Sequence, residues 1–164
     1  MQAIQDFFSS QNSDNSLEWH MQGSGVLTWS VFSIYRATLW TAGPLKLHNN
    51  QPANSAFALQ FEYLRNVSAD YIAEASQREL LRLAEHPEQL VQSWMQGLRE
   101  ILPDAGRGDL LWILFRPALD VGFYKDGHRL GEIVDPAFCQ AFSGIWFHEN
   151  CHNPRLRKQL LKEA

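Results

Sequence analysis

FYKDGHRLGEIVDPAFCQAFSGIWF, running from Phe123 to Phe147, holds a hairpin, a helix start and a helix in one uninterrupted stretch. Asp126-Gly127 separates two strand-like runs, Val121–Lys125 and His128–Ile133. Asp-Gly tolerates the positive φ angles that a tight antiparallel turn demands. Asp135-Pro136 follows at once. An aspartate can accept from the first free N–H groups of a helix, and proline suits the first helical position because its missing N–H has no intrahelical partner there. Phe138, Ala141, Phe142, Ile145 and Trp146 then recur at steps of three and four, which predicts a bulky apolar stripe on one helix face.

Working outward, GDLLWILFR (Gly108–Arg116) is almost continuously apolar and reads as a central strand. Upstream, Ser68 can cap a helix running to about Glu85. Ile72, Ala73, Leu80, Leu83 and Ala84 share one of its faces, with Glu74, Arg78, Arg82 and Glu85 opposite. Pro87 opens a second helix at its first position, Leu90, Val91, Trp94, Met95, Leu98, Ile101 and Leu102 keep helical spacing, and Pro103 ends it. Downstream, Asn153-Pro154 repeats the start signal for a last helix, Pro154 to Glu163. Toward the N-terminus, Glu18–Gln22 is strand-compatible and Gly23-Ser24-Gly25 reads as a turn. VLTWSVFSIYRATLW (Val26–Trp40) reads as one long strand, His48–Ser55 as loop, and Ala56–Arg65 as a further strand. The order of strands, two helices, strands and two helices predicts an α+β fold with an antiparallel sheet and helices packed on one face.

The 164 residues, 45% hydrophobic and 20% charged, suit a single globular domain able to bury roughly 70% of its unfolded surface. A disordered chain, a collagen-like rod and a coiled coil are excluded. Aromatic residues make up 12%, so the core is bulky or surrounds a cavity. The formal charge of −4 gives no basic face, and no nucleic-acid partner is expected. Arg155, Arg157, Lys158 and Lys162 fall in the last helix, where cations complement the helix dipole. Cys139 and Cys151 are too few for a disulfide framework and read as reduced thiols, although one pairing stays open. Residues 1–16 are mostly polar and read as a mobile arm before a domain spanning 17–164. They lack the basic start and apolar run of a signal peptide, and no stretch reaches the roughly 18 apolar residues of a membrane helix. As written, the chain is expected to be soluble, cytoplasmic and without membrane insertion, or periplasmic if a leader was removed. Nothing in the residues sets the oligomeric state.

His148-Glu149-Asn150-Cys151-His152 matches H-E-x-x-H, which binds zinc when both histidines share one helix face. Asn153-Pro154 breaks that helix, because a residue before proline is pushed out of the helical region. A loop between two helices is expected instead, with no metal and no cofactor. Gly-x-Ser-x-Gly and a phosphate-loop lysine are absent. Within Val26–Trp40, alternation puts Leu27, Trp29, Val31, Tyr35, Ala37 and Leu39 on one face and Thr28, Ser30, Phe32, Ile34, Arg36 and Thr38 on the other. The second face could line a semi-polar cleft, with Arg36 anchoring a carboxylate or enolate beside Thr28, Ser30 and Thr38. Alternatively, Arg36 is an exposed strand arginine whose stem covers Phe32 and Ile34. The same two readings apply to Arg116. Tyr35 and Tyr124 read as core aromatics.

Several segments together resemble the chalcone isomerase-like family, in particular its bacterial members. They are Gly25-Val26-Leu27 through IYRATLW (Ile34–Trp40), Pro87-Glu88-Gln89-Leu90 with Trp94, Gly108-Asp109 and, most specific, Phe123–Phe147. The resemblance implies an open-faced β-sandwich, in which an antiparallel sheet carries a helical layer with a ligand cleft between. Chalcone isomerases close a flavanone ring by adding a phenolate to an enone within one molecule, without metal or redox cofactor. In them an arginine stabilises the substrate anion and a tyrosine–threonine pair organises a water. Related members bind fatty acids in the same cleft. Carried over residue by residue, the strand threonine falls on Ser30, the one candidate catalytic hydroxyl. The arginine position falls near Leu17 or Glu18, the tyrosine near His86-Pro87 and the helix threonine near Ile145, and none of these keeps the needed group. The resemblance therefore implies a non-catalytic binder of a small amphipathic molecule such as a fatty acid. The alternative is an isomerase-type intramolecular lyase with rearranged catalytic residues.

Overall fold

Six strands form one antiparallel sheet in the order β1-β2-β5-β6-β7-β8, in a computed structural model that describes residues 19–43, 45, 47–48, 51–52, 56–83 and 85–162. The strands are β1 (His20–Trp29), β2 (Phe32–Thr41), β5 (Phe57–Tyr63), β6 (Leu110–Arg116), β7 (Asp120–Lys125) and β8 (His128–Ile133). A separate two-stranded ribbon joins β3 (Leu47–His48) to β4 (Gln51–Pro52). The helices are α1 (Ala69–Leu83), α2 (Glu88–Ile101), α3 (Pro136–Phe147) and α4 (Pro154–Leu161). The arm expected at residues 1–16 and the end of the last helix at Glu163 lie outside the described residues.

Strand alternation sorts the sheet into two faces. The row Leu39–Leu59–Ile113–Phe123 runs across β2, β5, β6 and β7 into the main core under the helices. The next row, Thr38–Gln60–Trp112–Tyr124, emerges on the opposite face, where Trp112 and Tyr124 pack with Trp19, Ala58 and Leu114. The hairpin signal at Asp126-Gly127 is realised, with φ of 50° and 81°. Asp135 caps α3 by accepting from the N–H groups of Ala137 at 2.9 Å and Phe138 at 3.4 Å, and its second oxygen accepts from Trp94 Nε1 at 2.9 Å. That last bond ties α2 to the start of α3.

Three expectations change. The long strand Val26–Trp40 is two strands of a hairpin, reversed at Ser30-Val31 with Ser30 at φ 56°. No glycine, proline or asparagine marks that turn, so β-branched and aromatic propensity concealed it. Gly23-Ser24-Gly25 is not a turn but the body of β1. A Cβ at Gly23 would collide with the Gln159 and Leu160 carbonyls, and one at Gly25 with the Gln159 side chain and Leu156. The glycines let α4 lie close on the strand. The loop expected over His48–Ser55 contains part of the β3–β4 ribbon.

The helices cover one face, and their placement leaves a gap. α4 packs on β1 and β2, α3 on β4, β6 and β7, and α2 on β8. α1 packs mainly against α2 and α3. The space between α1 and the strands is where the cleft lies.

Candidate functional site

A cleft of about 600 Å³ opens between sheet, α1 and α3. This is within the usual size range of small-molecule sites. Its sheet side is Ile34 and Tyr35 of β2, Phe61 and Tyr63 of β5, and Leu111 and Ile113 of β6. Its α3 side is Phe142, Ile145 and Trp146, members of the aromatic stripe legible in the sequence. Tyr71, Ile72, Ala75 and Ser76 of α1 form a third side, and Leu27, Thr28 and Trp29 come from the β1–β2 hairpin. The small residues Ala75 and Ser76 leave room that larger side chains would fill. Ser76 spends its hydroxyl on the Ile72 carbonyl at 2.8 Å and so offers little polarity to the space.

Two phenols sit on the sheet side. Tyr35 Oη accepts from Trp146 Nε1 at 3.1 Å, and its ring meets Phe61 edge to face at 4.9 Å. Burial pushes Tyr35 up to about 12, against a smaller opposing effect of the Trp146 bond. Burial also raises Tyr63, helped by Tyr35 beside it. Both are neutral phenols at ordinary pH, able to donate a hydrogen bond and poorly suited to removing a proton.

The polar part of the lining comes from α1 and the α3–α4 connection. Arg82 donates from Nε to Glu79 Oε2 at 2.9 Å and from Nη2 to the Asn150 carbonyl at 2.6 Å. His152 Nδ1 lies 3.6 Å from Glu79 Oε1. Arg78 also lines the cleft, is exposed, and has no hydrogen bond or ion pair among the described residues. An apolar space with one uncommitted guanidinium at its edge can hold a molecule that has an apolar body and an anionic end.

Of the candidate ligand-binding residues Thr28, Ser30, Arg36, Thr38 and Arg116, Thr28 lines this cleft and the other four do not, whereas His152 of the H-E-x-x-H match does line it. Ser30 is at the exposed hairpin turn. Arg36 is exposed, in register with Val26 and Glu62, on the sheet face turned away from the helices. The reason is the alternation itself: Tyr35 and Ala37 point to the helices, so Arg36 cannot. Thr38, on that same outer face, shares a 3.2 Å hydrogen bond with Ser24 Oγ. Arg116 clamps Asp120 across the β6–β7 turn, with Nε to Oδ1 at 2.7 Å and Nη2 to Oδ2 at 2.5 Å. Arg78, Tyr35 and Tyr63 were not picked out as binding residues. The signal for Arg78 was its place on the polar side of α1, one turn beyond Ala75, but the sequence could not say which helix edge borders a gap.

The two histidines of H-E-x-x-H do not share a helix, since α3 ends at Phe147 and His148 is already extended. His148 Nε2 lies 2.6 Å from Glu85 Oε1, and its Nδ1 accepts from the Asn150 N–H at 2.9 Å. Among the described residues no group of three or more His, Cys, Asp or Glu converges on a metal-sized site. Cys139 and Cys151 are both free and buried. Burial pushes the Cys139 thiol up to about 12 and also raises Cys151.

An antiparallel sheet with helices on one face and an apolar cleft between the layers makes an open-faced β-sandwich. The profile of the chalcone isomerase-like family matches residues 5–162, and the chain belongs to that family. No curated protein matches it. Among solved structures, a fatty-acid binding protein of Arabidopsis thaliana is similar, with a TM-score of 0.63 and 12% identity over 88% of this chain and 87% of that one. Identity that low speaks to the shared fold. No helix among the described residues is long and apolar enough to cross a membrane.

Proposed function

We propose that the protein binds, without transforming it, an amphipathic carboxylate such as a fatty acid, its chain between sheet and α1 and its carboxylate at Arg78. The observation that carries this reading is the pairing of an apolar cleft of about 600 Å³ with an uncommitted arginine in its lining. A fatty acid presents that combination of surfaces. The similar Arabidopsis thaliana protein is itself a fatty-acid binding protein, which supports the ligand class. The cleft lining supports binding over isomerisation. Ser30 and Arg36 stand outside it, and the phenols within it are held neutral.

The test is native mass spectrometry of gently purified protein, followed by denaturation and identification of what is released. Delipidated protein is then titrated with palmitate and with the matching alcohol. A released carboxylate, or saturable palmitate binding that outcompetes the alcohol, is expected. Protein that is empty as purified and takes up neither compound refutes the reading, and turnover of a chalcone would replace it with the isomerase.

A further inference from the structure

The turn that joins β1 to β2 breaks a folding rule without a folding reason. Ser30 sits at φ 56°, in the left-handed region that glycine and asparagine favour, and Val31 follows it with 86% of its surface exposed. Trp29 and Phe32, the pair closing the turn, are 62% and 45% exposed. A two-residue turn usually carries small polar residues, whereas here Trp-Ser-Val-Phe projects three large apolar side chains from the end of a hairpin. None of the three belongs to either hydrophobic core cluster. Arg65 lies with its guanidinium carbon 4.0 Å from the centre of the Phe32 ring, so a cation is held against this apolar tip. The same strand end leads into the cleft, since Leu27, Thr28 and Trp29 line it.

We propose that this tip docks the protein on a phospholipid bilayer, with Trp29, Val31 and Phe32 dipping into the headgroup boundary and the Arg65 guanidinium meeting lipid phosphate. Two features favour a bilayer over a second copy of the chain. Three side chains on a narrow turn cannot supply the roughly 800 Å² per partner of an ordinary protein interface. Tryptophan beside an arginine, with an apolar neighbour at the apex, is also the composition that settles at a membrane–water boundary. The chain would lie on the membrane and not span it. Docking here sets the Trp29 edge of the cleft at the lipid surface, which gives a fatty acid a short path in or out. That last step rests on the ligand proposed above, while the docking does not.

The experiment is flotation of the full chain with vesicles of mixed phosphatidylcholine and phosphatidylglycerol, comparing wild type with W29S/V31S/F32S and with R65Q. The three apolar residues are exposed, so the triple variant should keep its fold, checked by circular dichroism and melting. Its vesicle partition should fall at least about tenfold, because apolar surface is what holds an interfacial segment. R65Q should lose a smaller factor, and that loss should fade in high salt. Vesicle-free palmitate binding should be unchanged in V31S/F32S, which leaves the cleft-lining Trp29 in place and should lose most of the vesicle partition as well. Wild type that stays with the soluble fraction, or a triple variant that floats as well as wild type, overturns the proposal. So does a wild-type dimer that the triple substitution dissolves, which would make the tip a contact between copies. Protein that floats yet takes up no palmitate refutes the cleft reading and leaves the docking intact.

Discussion

If a fatty acid lies with its chain in the cleft, shortening that chain must weaken binding far more than removing the rim cation. The cleft is lined by Ile34, Phe61, Ile72, Leu111, Ile113 and other apolar side chains, so each methylene drawn out of water contributes about 0.8 kcal/mol. Going from palmitate to laurate removes four methylenes and costs about 3 kcal/mol, a roughly 200-fold rise in Kd. Arg78 is exposed, and its pairing with a carboxylate is screened by water. Arg78→Gln should therefore cost about 0.5–1 kcal/mol, a two- to fivefold rise. Calorimetric titration of delipidated wild type and R78Q with both acids gives the four constants. A third variant, Ala75→Trp, puts a ring where α1 now leaves room and should abolish binding of both. Equal affinity for palmitate and laurate would refute the reasoning, because it would place the chain outside the cleft. So would an R78Q protein that binds neither acid, since affinity would then reside in the charge.

Asp135→Ala should destabilise the fold by about 2–4 kcal/mol in urea unfolding, because it removes the α3 cap and leaves Trp94 Nε1 without its acceptor. Wild-type stability in that variant would mean that the cap and the bond are replaced by water. Gly23→Ala should lower the melting temperature more than an average surface change does, since the new methyl meets main-chain carbonyls of α4. An unchanged melt would mean that α4 moves away freely. Tyr35 carries a pH signature. Its folded value of about 12 exceeds the ordinary 10, so its contribution is full below pH 10 and is lost as the pH rises from there through 12. Tyr35→Phe should flatten this stretch of the alkaline unfolding curve, and a curve of unchanged slope would show that Tyr35 titrates as a solvated phenol.

Much of the fold was legible because it rests on local chemistry. Asp126-Gly127 and Asp135-Pro136 announce a hairpin and a helix start through backbone angles and orphan N–H groups, which depend on near neighbours only. The stripe Phe138, Ala141, Phe142, Ile145 and Trp146 follows from helical period alone. The Ser30-Val31 turn was hidden because it uses residues that favour strands, and there the chain carries a local conflict that folding does not explain.

The sequence by itself determined the α+β class, the alternation of strand and helix blocks, the helix caps at Ser68, Asp135 and Asn153 and the apolar core, all of which follow from period, propensity and the identity of residues a few positions apart. Only the tertiary structure decided which faces meet. Packing the Tyr35 and Ala37 face of β2 under the helices sends Arg36 and Thr38 to the outer face, and packing α1 on α2 and α3 opens a space that brings Arg78 to the cleft. A side chain's access to a cavity depends on how distant elements pack, and no spacing along the chain encodes that distance.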